Sequence, residues 1–199
     1  MSITTFDGLK ASIANWLNRN DLTAEILDFI ELAENRMSHE VRLPTIERSA
    51  VVTVDTGGAT SIPADFLEAK YAFFNGAPLE RISTTMLYSQ PAKSGTPTAF
   101  ARVGSKLQFY PTPTITATDV LTITYYYQVD ALSDANSTNP LLSTAPELYL
   151  YAALVEAANF LNSDGQRWEN GYQNAFSRAM SHARYAEFSG ATPLVSTGY

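Results

Sequence analysis

Asp65 and Glu68 flank the apolar pair Phe66-Leu67, and two carboxylates that close together could act as acid and base in the hydrolysis of a glycoside. Spacing alone does not select them. The chain holds 20 acidic residues in 199, enough to produce many such pairs by chance, and Pro63-Ala64-Asp65 is turn chemistry in which the aspartate accepts backbone N–H groups. His39-Glu40, with Glu34 upstream, offers a nitrogen and two carboxylates, but the H-E-x-x-H spacing of a zinc hydrolase is missing, and His182 stands far away in the sequence. Both histidines are expected on exposed polar helix faces. With no cysteine, thiolate metal sites, disulfides and cysteine nucleophiles are excluded. No G-x-S-x-G elbow presents a serine beside a base, and Gly57-Gly58 lacks the Lys-Ser/Thr of a phosphate loop. The expectation is a protein without catalytic residues, metal or cofactor.

Glu25, Asp28, Glu31 and Glu34 recur at every third position and would form an acidic ridge drifting round one helix. A solvated face is the plain reading. In a ring the same ridge would face a channel along which DNA slides without sticking, because like charges repel. A net charge of -7, with 13 basic residues scattered singly, argues against a module that grips nucleic acid by neutralising phosphates. Only 17% of residues are charged, against about a quarter in typical soluble domains, so much of the surface must be uncharged and suited to contact with other protein. Residues 1–10 show no secretory pattern. The most apolar stretch, Leu148 to Leu161, carries Glu156 and Asn159 and is too short to cross a bilayer, so a soluble protein is expected. Tyr125-Tyr126-Tyr127, Tyr149 and Tyr151 are packing and interface anchors rather than a base-stacking platform. The segment after Gly190 has no charged side chain; its composition predicts a loose end or an arm that docks on another chain.

Helical spacing of Phe6, Leu9, Ile13, Trp16 and Leu17, then of Ile26, Phe29, Ile30, Ala33, Met37 and Val41, predicts two amphipathic helices forming a hairpin. Asn20-Asp21-Leu22-Thr23 between them offers caps for the second helix, and Pro44 marks its limit. From Ile46 the period changes to two. A hairpin is predicted about Asp55-Thr56-Gly57-Gly58, a second about Asn75-Gly76, the dipeptide suited to a type I′ turn, and a third about Gly104-Ser105. Thr84 to Ser89 is a short helix. Asp119 to Val129, with Leu121, Ile123, Tyr125 and Tyr127 alternating with Thr122 and Thr124, is a half-buried strand. After a polar loop from Asp130 to Pro140, two further helices are predicted, from Pro146 to about Asn162 and from Gln166 to about Phe188. The expected architecture is mainly α with inserted β: a four-helix bundle-like core of two N-terminal and two C-terminal helices. It divides into an N-terminal helical hairpin (1–44), a β-hairpin-rich insert (45–130), a C-terminal helical pair (131–189) and an extended C-terminal arm (190–199).

Several phrases in this order resemble the head-to-tail adaptor proteins of short-tailed bacteriophages, also called connector, tail-accessory or head-completion proteins. They are Asp21-Leu22-Thr23 through Ile30-Glu31-Leu32-Ala33-Glu34-Asn35-Arg36, Ile62-Pro63-Ala64-Asp65-Phe66-Leu67-Glu68, Asn75-Gly76-Ala77-Pro78-Leu79, Leu107-Gln108-Phe109-Tyr110-Pro111-Thr112-Pro113, Tyr125-Tyr126-Tyr127, Ala131-Leu132-Ser133, and Leu148-Tyr149-Leu150-Tyr151-Ala152-Ala153-Leu154. The resemblance implies a structural protein of the virion neck, assembled in the bacterial cytoplasm. It would form a ring, a dodecamer, between the portal and the tail nozzle or tail tube, leaving a channel for DNA. By the same analogy the segment from Thr192 to Tyr199 would be a portal-docking arm, with Thr192, Pro193, Leu194, Val195 and Tyr199 along it. Some related adaptors are credited with cell-wall degradation, so the alternative is a virion-associated peptidoglycan hydrolase using Asp65 and Glu68.

Overall fold

In the computed structural model, which describes residues 3–114, 116 and 119–188, Thr5 opens α1 (Phe6–Leu17) by accepting the Gly8 N–H at 3.2 Å. Asn18 closes it in the left-handed conformation, which asparagine tolerates better than most residues. α2 (Glu25–Glu40) starts differently from expectation. Its first position follows Ala24, which makes no side-chain cap, while the Asp21 carboxylate is taken by the Arg19 guanidinium. A 3₁₀ turn at Pro44–Ile46 then ends the helical run.

The chain divides into two compact units, residues 1–46 with 129–199, and residues 47–128. In the first, α5 (Pro146–Phe160) packs against α1, α2, α4 (Pro140–Thr144) and α6 (Gln166–Phe188). Leu148, Tyr149, Leu150, Ala152, Ala153, Leu154, Ala157 and Ala158 are all buried, so α5 is covered on several sides rather than along one stripe. Small side chains let its neighbours approach. At Gly171 of α6 a Cβ would lie 2.7 Å from ring carbons of Tyr151 on α5, closer than carbon atoms can stand. Gly171→Ala is therefore expected to lower stability by about 1 kcal/mol or more, overpacking outweighing the helix preference for alanine. Thermal unfolding of the variant checks this; a rise in Tm would mean that Tyr151 moves freely.

The second unit contains β1 (Glu47–Val52), β2 (Ala59–Ser61), β3 (Phe66–Phe74), β4 (Ala77–Pro78), β5 (Glu80–Arg81), α3 (Thr84–Ser89), β6 (Ser94–Gly95), β7 (Ala99–Val103), β8 (Lys106–Tyr110), β9 (Thr112–Pro113) and β10 (Leu121–Tyr127). They form one sheet in the order β1-β10-β3-β4, a second in the order β2-β8-β7-β5, and a pair β6-β9. Asn75 and Gly76 both have positive φ, as a type I′ turn requires, and they join β3 to β4. Gly104, with φ 60°, turns β7 into β8. The hairpin expected at Asp55 to Gly58 does not form. Asp55 does hold a tight turn, accepting the Gly57 and Ala59 N–H groups at 2.9 Å, but β1 leaves it to pair with β10 and β2 to pair with β8.

The mainly-α four-helix bundle-like core is thus overturned. Among the described residues 43% are helical and 24% are in strands, with six α-helices and three sheets, and the sheets build a core of their own. That core joins Ala69, Ala72 and Phe74 of β3 and Leu121, Ile123 and Tyr125 of β10 to Phe100, Leu107 and Phe109 from the other sheet. Strands with alternating apolar residues must bury that face, and facing sheets do so without help from a helix. The arm expected at 190–199 lies outside the described residues.

Candidate interaction surface

The acidic residues of α2 do not share one environment. Asp28 and Glu31 are exposed and Glu25 is half-buried, whereas Glu34 turns into the helical unit and accepts the Leu132 N–H at 2.9 Å and the Tyr149 hydroxyl at 3.2 Å. Tyr149 in turn accepts from the Asn139 amide at 2.7 Å. Burial holds the Glu34 carboxyl above the usual carboxylate range, against the opposing pull of those two donors. Burial likewise pushes the Tyr149 hydroxyl up, with the Glu34 charge adding to it. A carboxyl whose pKa is higher folded than unfolded favours the fold when protonated, so its contribution falls as pH rises above about 4.3, the unfolded value, and levels off above the folded one. Glu34→Gln keeps an acceptor oxygen and removes this penalty. Its stability relative to the parent is expected to grow between about pH 4 and pH 7, while Glu34→Ala, which orphans the Leu132 N–H and the Tyr149 hydroxyl, loses about 2 kcal/mol. Urea unfolding of both variants across that range checks the pair; a flat Gln-to-parent difference would contradict it.

A second polar linkage ties α2 to α6. Arg36 donates to both oxygens of Glu169, at 2.7 and 2.8 Å, lies 4.1 Å from the Tyr172 ring centroid, and meets Glu40 at 3.2 Å. Tyr172 donates to the other Glu40 oxygen at 2.6 Å. The guanidinium holds the Glu169 carboxyl down at about 2. This linkage positions the helices and presents no free acid or base.

The carboxylates proposed for glycoside chemistry, Asp65 in the turn before β3 and Glu68 on β3, are engaged in ion pairs. Asp65 accepts from Arg48 and, at 3.1 Å, from the Tyr125 hydroxyl; Glu68 accepts from Arg81 at 3.0 Å. Each sits beside its own guanidinium, which suits a structural ion pair better than a general acid that must carry a proton. His39 and His182 are exposed. No group of three His, Cys, Asp or Glu that could hold a metal occurs among the described residues, and no helix among them is long and apolar enough to cross a membrane.

The surface is marked instead by large apolar side chains. Leu27 and Leu32 of α2 are 45% and 50% exposed, interleaved with Asp28 and Glu31, so that helix face is amphiphilic rather than simply acidic. Phe160 and Tyr185 are exposed on the same unit. On the β unit Val51, Tyr71, Met86 and Tyr88 are exposed, and the segment from Ile82 to Ala92 that carries the last two has no charged residue. The sequence reading missed these residues, although the low charge content was their signal. Large apolar side chains exposed on a surface suit a protein that works by contact.

That description fits a structural assembly protein, and the family comparison agrees with it. The chain belongs to the SU10 adaptor protein family, whose model matches residues 4–196, which bears out the resemblance to phage adaptors. Membership supports the role of a bacteriophage adaptor, a virion-associated structural protein that interacts with other head and tail proteins, and points away from catalysis. No curated protein matches the chain.

Proposed function

We propose that the protein forms a closed ring, a dodecamer, between the portal and the tail nozzle or tail tube in the virion neck, after assembly in the bacterial cytoplasm. It seals the head–tail junction and leaves a channel through which DNA passes without sequence-specific binding. Membership of an adaptor family across residues 4–196 carries this reading; the apolar, charge-poor surface supports it. The exposed acids Asp28 and Glu31, with Glu25 beside them, suit a wall that repels phosphates. Thr192, Pro193, Leu194, Val195 and Tyr199 form the portal-docking arm in this proposal. Many identical weak arms on one ring bind collectively far more tightly than any one alone.

Mixing the purified protein with portal rings tests the arm. The full chain is expected to give a stoichiometric complex and a chain shortened after Gly190 to lose it. Unchanged binding by the shortened chain would remove the arm from the proposal. The hydrolase alternative gains nothing from Asp65 and Glu68, both committed to ion pairs.

A further inference from the structure

Asn-Gly occurs twice in the chain, at Asn75-Gly76 and at Asn170-Gly171. It is the dipeptide in which an asparagine most readily loses ammonia, because glycine has no Cβ to hinder its own nitrogen and reaches conformations closed to other residues. Solvent base removes the glycine N–H proton and the nitrogen attacks the asparagine Cγ. The N–Cγ bond forms, and the Cγ–Nδ2 bond breaks as ammonia leaves with a proton from water. Water then opens the cyclic imide at either carbonyl, leaving aspartate or isoaspartate. The two sites meet this chemistry differently. Asn170 lies within α6, where the Gly171 N–H belongs to the helix ladder and Gln166 holds the Asn170 oxygen at 3.0 Å. Asn75 and Gly76 are exposed between β3 and β4, where water has access, and the space beside the Gly76 Cα is open for 4 Å.

We propose that Asn75 is a deamidation site which the fold holds shut through Asp119. Both ends of the Asn75 amide are fastened: Nδ2 donates to Asp119 Oδ1 at 2.7 Å, and Oδ1 accepts the Val120 N–H at 2.8 Å. The Asn75 backbone N–H donates to the Val120 carbonyl at 2.9 Å. Asp119 is itself anchored, its other oxygen accepting the Thr116 N–H at 2.7 Å and the Thr116 hydroxyl at 2.8 Å. In the sheet order β1-β10-β3-β4, Val120 leads into β10 on one side of β3 and Gly76 leads into β4 on the other. The amide is therefore turned toward β10, and its Cγ reaches the Gly76 nitrogen only after both side-chain bonds are given up. The bond to Asp119 is charge-assisted and the stronger of the two, so Asp119 sets how often the amide comes free. Asp119 is thus a positioning residue against a reaction that would damage the turn. The aspartate product has no donor for Asp119 and sets two carboxylates against each other, and isoaspartate lengthens the backbone of a two-residue turn whose geometry the strands require.

The full chain is incubated in mildly alkaline buffer, folded and in urea, and peptides spanning each Asn-Gly dipeptide are followed by mass spectrometry. Asn75 is expected to convert far more slowly in the folded parent than in urea; equal rates would overturn the proposal without recourse to any variant. In folded Asp119→Ala, conversion at Asn75 is expected to rise roughly fivefold, the effect of losing a charged hydrogen bond at an exposed site, while Asn170 keeps its parental rate. Ile123→Val, which loosens the same unit without touching the turn, is expected to leave Asn75 near its parental rate. An unchanged Asn75 rate in Asp119→Ala would overturn the proposal. So would an equal rise at Asn170, or an equal rise at Asn75 in Ile123→Val, since either would place the effect in unfolding rather than in the turn.

Discussion

Replacing Asn139 with alanine is expected to destabilise the protein by about 3 kcal/mol, far more than a polar residue in a loop ordinarily costs. Asn139 is only 6% exposed and serves three partners. Its carbonyl accepts the Leu142 N–H at 2.8 Å and so caps α4. Its amide donates to the Asp130 carbonyl at 3.2 Å and to the Tyr149 hydroxyl at 2.7 Å. Loss of a cap costs about 1 kcal/mol, and leaving buried groups unpaired adds about 1 to 3 kcal/mol. Asn139→Asp separates these terms, since a carboxylate can still cap α4 but cannot donate to Tyr149. It should fall between the parent and the alanine variant in urea unfolding. A loss below about 1 kcal/mol for Asn139→Ala would mean that water replaces the side chain.

Ile123→Ala is expected to cost more, about 4 kcal/mol, within the range of large-to-small changes in cores. Ile123 is fully buried at the centre of the first sheet. Its cross-strand neighbours are Ala50 on β1 and Ala72 on β3, small side chains that offer little volume to fill the void. The cost of a cavity rises with the volume that stays empty. Val51→Ala, on the exposed side of the same sheet, serves as control and should change stability by no more than about 0.5 kcal/mol. Equal losses at the two positions would contradict the placement of the core.

Local chemistry was legible in the sequence; long-range pairing was not. Helical spacing located α1, α2, α5 and α6, the Asn75-Gly76 dipeptide located the turn from β3 to β4, and alternation located β10. The error at Asp55 to Gly58 has a clear origin: those residues describe a turn, but nothing in them says that β1 will cross to β10, whose first partner residue, Leu121, lies opposite Val52. α4 was hidden because its capping Asn139 and leading Pro140 ended a stretch of loop composition. Acids at every third residue of a helix step by about 300°, so Glu34 lies about 180° round α2 from Glu25. Glu34 stands only about 60° from the exposed Glu31, so spacing alone does not single it out; burial of Leu132 and Tyr149 beside it explains its partners. The ion pairs of Glu47 and Arg48 could not be read at all, since they depend on Lys70 and Asp65 arriving from β3 and the segment before it.

Electron microscopy of the full-length protein, alone and after mixing with portal rings, tests the adaptor account most directly. The account predicts closed rings with a central channel, stacked coaxially on the portal as a matching dodecamer. Particles without rotational symmetry, together with portal rings that gain no added density, would contradict it.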